Sequence, residues 1–169
     1  DSYGPRFKGI TEHQNQFNTA DPSYQITFPR DHGPHKNFRI EWWYFTANLK
    51  SASIHNLGIQ WTLFRSNFKP EPRKKPQHLN SFWMAHSAIT TETSHYSEER
   101  FARGKDGQAG VTLNPFKAWI DNWRMEGDNE LRNIKLESSG ADFSFSLELS
   151  TKMSPVLQGE EGFSKKSEQ

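Results

Sequence analysis

Cysteine is absent from this 169-residue chain, which rules out a disulfide framework, a thiolate nucleophile and Cys-ligated zinc. Apolar residues are scarce. Hydrophobic side chains make up 33% of the chain and the mean hydropathy is -0.92. No apolar run approaches the roughly 20 residues of a membrane-spanning helix. A basic stripe is missing too: 21 basic and 20 acidic residues are dispersed along the chain and leave a net charge of +1. The electrostatic footprint of a nucleic-acid-binding protein is therefore lacking. The short run Arg73-Lys74-Lys75-Pro76 sits among prolines and reads as a solvated loop. There is no Gly-rich phosphate loop, Gly-x-Ser-x-Gly elbow or His-Glu-x-x-His zinc motif. No cofactor is expected.

Aromatic residues are what the chain has instead: 13 Phe, 6 Trp and 4 Tyr. A domain of this composition draws its burial from a few large rings. The densest stretch is Glu41-Trp42-Trp43-Tyr44-Phe45. Side chains on a strand alternate with a period of two. Trp43, Phe45, Ala47 and Leu49 then share one face with Glu41, and Trp42, Tyr44, Thr46 and Asn48 share the other. Which of the two faces an interior is left open by the pattern.

Similar alternation recurs in runs separated by turn clusters. It covers 58–65, 81–90, 99–104, 109–113, 116–126, 131–138 and 142–150. In 116–126, Phe116, Ala118 and Ile120 oppose Trp119, Asp121 and Trp123. In 142–150, Phe143, Phe145, Leu147 and Leu149 are expected to be buried and Ser144, Ser146 and Glu148 exposed. The pattern predicts an all-β domain of about eight antiparallel strands, closed into a barrel to remove its edges. A β-sandwich is the alternative. Residues 1–37 read as a polar, turn-rich extension with a short strand at 24–28. The domain proper is 38–157, followed by a polar tail at 158–169. The loop 66–80 reads as an ornament or as a flap over a barrel mouth. A chain that begins at Asp1 is expected to have lost an upstream segment.

The segments "FPRDHGPHKNFRIEWWYFTANL", "GIQWTLFR", "WMAHSAIT", "RFARG", "PFKAWIDNWRM" and "VLQGEEGFSKKSEQ" follow one another in a register that resembles the hydroxyneurosporene synthase (carotenoid 1,2-hydratase) and AttH-like family, from about Phe28 to Gln169. The resemblance implies a lipocalin-like (calycin) β-barrel, the first of two such domains in a protein exported to the periplasm or held as a lipoprotein. Membrane association would then come only through a removed lipid anchor. The residues usually proposed for hydratase acid chemistry lie in the second domain, so none carries over. The implied first-domain signature is Glu41, Trp42, Trp43, Tyr44, Gln60, Arg65, His86 and Arg103.

Glu41 reads in two ways. Pointing into a barrel lined by Trp43, it would gain a raised pKa and act as a general acid. Paired with Arg65 or Arg103, it would be a structural ion pair. His86 is the other catalytic candidate, against the plainer reading of a hydrogen-bonded wall residue. Asp31, His32 and His35 have loose spacing around a Gly-Pro turn, so no metal is expected. For the remaining rings the plain reading is core. Collectively they suggest a pocket for one hydrophobic small molecule (an isoprenoid, a lipid or a polyketide-like compound), lined by Trp42, Trp43, Tyr44, Trp61 and Trp83 with Gln60, Arg65, His86 and Arg103 as polar groups. The alternatives are the non-catalytic half of a hydratase-type lyase acting on a polyene, and an accessory protein of an ABC export system. The partners expected besides the ligand are the second lipocalin-like domain and, for the chain alone, a second copy in a homodimer.

Overall fold

Among the described residues, nine antiparallel strands account for the alternation in the sequence. The structure, a computed structural model, describes residues 17–53, 55–68, 81–103 and 107–164. The strands are β1 (Ile40–Leu49), β2 (Leu57–Asn67), β3 (Ser81–Thr90), β4 (His95–Arg103), β5 (Ala109–Thr112), β6 (Phe116–Ile120), β7 (Trp123–Gly127), β8 (Asn133–Ser139) and β9 (Ser144–Ser150). They form two meanders, β1-β2-β3-β4 and β5-β6-β7-β8-β9. This is an all-β, antiparallel architecture consistent with a lipocalin-like fold. Among the described residues the hydrogen-bonded ladders stop at two sheets, and none joins β4 to β5 or β9 to β1.

The two sheets share one core. Trp43, Ile59, Trp61, Leu63, Trp83, Ala85 and Ala102 come from the first sheet, and Ala109, Phe116, Ala118, Ile120, Trp123, Met125 and Leu136 from the second. Strands β2 and β4 meet β6 across it. Each large side chain buried this way contributes about 1.5–3 kcal/mol. Where no ladder joins β4 to the second sheet, side chains tie them. Arg100 lies 4.4 Å over the Trp123 ring, donates to Asn122 Oδ1 and reaches the Ser139 carbonyl at 3.2 Å. Glu98 accepts the Ala141 N–H at 3.3 Å.

Three local expectations change. Residues 24–28 are not a strand, because side chains take their polar groups: Asp31 accepts the Thr27 N–H at 2.6 Å and the Tyr24 hydroxyl at 2.8 Å. Such local bonds compete with a ladder, and the segment runs instead into one 3-10 turn at Arg30–His32. The run 116–126 is two strands joined at Asp121-Asn122, with Asp121 in the left-handed region at φ 52. Asp and Asn tolerate that region better than most residues. The turn re-phases the chain, so Trp123 pairs with Ile120 and enters the core rather than sharing the outer side with Trp119. In β9, Phe145, Leu147 and Leu149 are half-buried rather than buried, as is Phe143 just before it, and Ser144, Ser146 and Glu148 are exposed as expected. Among the described residues β9 is the last strand of its sheet, paired on one side with β8.

In the 66–80 loop, Ser66 and Asn67 continue β2. Residues 69–80, including the Arg73–Pro76 run and most of the expected flap, lie outside the described residues. After β9 the chain turns at Gly159 (φ 68) and Gly162 (φ 99). A Cβ on Gly162 would come within 2.2 Å of Ile26 Cδ1. The turn is thus seated on the N-terminal segment at a position only glycine fits.

Candidate functional site

The Glu41 carboxylate lies at the N-terminal end of β1, opposite Arg65 on β2. Arg65 Nη2 reaches Glu41 Oε2 at 2.8 Å and also donates to the His35 carbonyl at 2.8 Å. Its guanidinium sits 5.8 Å from the centre of the Trp43 ring, and the residue is only 4% exposed. Burial pulls the Arg65 pKa down and the Glu41 charge opposes this. Of the two readings of Glu41, the structure shows the ion pair, and Arg65 is the partner. Arg103 is exposed on β4, in register with Phe82.

His35 joins this pair. Its Nδ1 lies 2.5 Å from Glu41 Oε1 and its Nε2 lies 3.1 Å from Asp31 Oδ1. The backbone N–H of His35 also donates to both Glu41 oxygens, at 3.0 and 3.1 Å. Burial alone would lower the His35 pKa, but the two carboxylates outweigh it and raise the value. Burial would likewise raise Asp31. Arg30, the Thr27 N–H, His35 and the Tyr24 hydroxyl together hold its carboxyl far below the usual range. His32, stacked on Phe28 at 4.2 Å, is pushed down by desolvation. Asp31, His32 and His35 do not converge as metal ligands, and no group of three metal-ligating side chains occurs among the described residues. The cluster is a clasp: it fixes the segment around the 3-10 turn to β1 and β2. The Trp43 Nε1–H donates to the His32 carbonyl at 3.2 Å, and Asn67 donates to the Lys36 and Phe38 carbonyls at 3.3 and 2.9 Å.

The second feature is the outer face of β1–β4. Register places Trp42, Phe64, Met84 and Phe101 in one row across the four strands. The flanking rows are Ile40, Ser66, Phe82 and Arg103, and Tyr44, Thr62, His86 and Glu99. Trp42 packs on Phe64 at 5.3 Å and Phe82 on Phe101 at 5.9 Å. Even so, Trp42 is 59%, Tyr44 71% and Phe101 53% exposed. Gln60 lies one row further along, exposed, and His86 is half-buried between Thr62 and Glu99. Trp43, Trp61 and Trp83 are on the opposite face, inside the core.

The corresponding face of the second sheet is built differently. Lys117, Glu126, Lys135 and Glu148 form one cross-strand row, and Trp119, Arg124, Glu137 and Ser146 the next. Lys117 pairs with Glu126 at 3.1 Å and Lys135 with Glu137 at 2.9 Å. Opposite charges facing each other on a sheet suit a solvated surface. One outer face is thus a charge ladder and the other an aromatic platform. Sequence alternation separated the two faces of β1. It did not show that rings from β2, β3 and β4 would join Trp42, because that depends on register.

The AttH-like family model matches residues 19–169. Among solved structures, the crystal structure at 2.00 Å of a candidate AttH protein from Nitrosomonas europaea is similar, with a TM-score of 0.70 and 26% sequence identity. The match covers 88% of this chain and 45% of that one, so the chain spans less than half the length of that relative. No curated protein matches.

Proposed function

Because the chain belongs to the AttH-like family, we propose that it serves as the N-terminal lipocalin-like domain of a longer protein and holds a hydrophobic small molecule against the outer face of β1–β4. The row of Trp42, Phe64, Met84 and Phe101, with Trp42 and Phe101 exposed at its two ends and Phe64 and Met84 half-buried between them, carries this reading. Exposed apolar patches of this kind mark binding surfaces on soluble proteins. The space between the sheets is a poorer place for a ligand: Trp61, Leu63, Ala118, Ile120, Trp123 and Leu136 have no exposed surface there. Thr62, Gln60 and His86 supply polar groups beside the rings. Family resemblance narrows the ligand to an isoprenoid, a lipid or a polyketide-like compound. It also suggests a second domain that closes over the same face and export to the periplasm, free or as a lipoprotein.

The test is a fluorescence titration with polyenes, fatty acids and quinones. Four of the six tryptophans are buried, so saturable quenching is expected to come chiefly from Trp42. Trp42→Ser should remove it while the thermal midpoint stays within a few degrees of the parent. A flat titration of the parent chain by the whole panel removes the reading. Turnover of an acyclic carotenoid by this chain would replace it with a hydratase.

A further inference from the structure

We propose that His35 is a proton-operated latch that fastens residues 24–38 over the Trp43 end of the core and releases them when it loses its proton. The geometry suits an imidazolium. Both ring nitrogens face carboxylate oxygens, Nδ1 on Glu41 and Nε2 on Asp31. A neutral imidazole carries only one N–H. On deprotonation one ring nitrogen turns a lone pair toward a carboxylate oxygen, so one hydrogen bond becomes a repulsion. The proton goes to solvent, and the ring is partly exposed to it, with 32% of the side chain accessible.

Among the described residues, the charged groups that meet the ring come from three elements. Asp31 faces it from the 3-10 turn, Glu41 from β1, and Arg65 from β2 through Glu41 and the His35 carbonyl. Arg30 and Tyr24 act through Asp31. The Phe38 ring meets it edge-on at 6.2 Å. Both carboxylates keep a second cation when His35 becomes neutral, Arg65 on Glu41 and Arg30 on Asp31. Loss of the proton therefore loosens the segment without stranding a buried charge, which suits a reversible latch better than a structural pair would.

The latch holds more than its own loop. Gly33 is buried, and a Cβ there would lie 3.2 Å from Leu113 Cβ in the β5–β6 connection. The Trp43 indole is bonded to the His32 carbonyl, and Ile26 seats the turn at Gly162. Lifting 24–38 uncovers the Trp43 end of the core and frees the segment after β9 together with it. The direction with pH follows from linkage. The folded-state pKa of His35 is raised above 6.5, so its stabilisation is complete below that value and is lost as pH rises through the folded pKa. The ligand reading above is independent of this, since no ring on the outer face of β1–β4 takes part.

The experiment is amide hydrogen exchange at pH 6 and pH 9 on the 169-residue chain, with rates corrected for intrinsic exchange. The expected result is a clear fall in the protection of the Asp31, Gly33 and His35 amides at pH 9 relative to pH 6, the direction that linkage to a raised His35 pKa requires. Amides of β2 and β6 should keep their protection. In His35→Gln the difference between the two pH values should vanish. Pronounced pH dependence in His35→Gln, or unchanged protection in the parent, overturns the proposal. An NMR titration of the His35 ring in the parent chain gives an answer even if the variant fails to fold. Titration above the ordinary histidine value supports the latch, and titration at or below it overturns the latch.

Discussion

Glu41 collects the ring and backbone N–H of His35 and the Arg65 guanidinium on one carboxylate. Removing it leaves Arg65, almost fully buried, without its counter-ion. Breaking a buried pair from one side costs roughly 3–5 kcal/mol, whereas replacing both partners by apolar residues of similar size is often close to neutral. Glu41→Ala is therefore expected to lower the urea midpoint sharply, and Glu41→Leu with Arg65→Met to recover most of the loss. If the double variant is as unstable as the single one, the packing of Trp43 against Arg65, and not the charge pair, is what holds this corner. Part of this was legible in the sequence. Alternation put Glu41 on the Trp43 face, and Arg65 was one of two candidate partners. His35 was not legible as a third member, because it reaches Glu41 through an irregular turn whose path is set by the Asp31 bonds.

At the scale of elements, the strands were readable wherever apolar and polar residues alternate, and they were misread where a turn interrupts an unbroken pattern. The stretch 116–126 looks like one strand because Trp119 and Trp123 keep the alternation going. The Asp121-Asn122 turn breaks it and sends Trp123 inward. Asp121→Val should cost about 1–2 kcal/mol, the penalty for holding a β-branched side chain in the left-handed region. A thermal midpoint like the parent's would mean that the turn relaxes to another type. The position of a strand in its sheet also decides the cost of a hole. Phe116, on β6 between two neighbours, is fully buried. Phe116→Ala should lose roughly 3–5 kcal/mol in chemical denaturation. Phe145, on β9 at the margin, keeps part of its ring in water, so Phe145→Ala should lose about half as much and leave the domain folded. The two strands read alike in the sequence, because strand order is not written in local alternation.

Over the whole molecule the division is between its two outer faces, one a charge ladder and the other an aromatic platform. Strands lie about 4.8 Å apart and successive same-face residues about 6.8 Å apart along a strand. Three rows across four strands thus cover about 400 Å². A standard stable interface buries about 800 Å² per partner. The platform by itself is too small to hold a permanent dimer, yet large enough to make the chain stick to itself at high concentration. Sedimentation velocity on the isolated 169-residue chain should show weak, reversible self-association that rises with concentration. Added salt should affect it little, since the rings and not the charges make the contact. Replacing Trp42, Tyr44 and Phe101 together by Ser should abolish the association and leave the thermal midpoint almost unchanged, because all three are more than half exposed already. If the triple variant associates as the parent does, the contact lies elsewhere, and the aromatic face loses its claim to be a binding surface. If it fails to fold, these rings belong to the stability of the sheet, and the asymmetry between the faces has a structural origin.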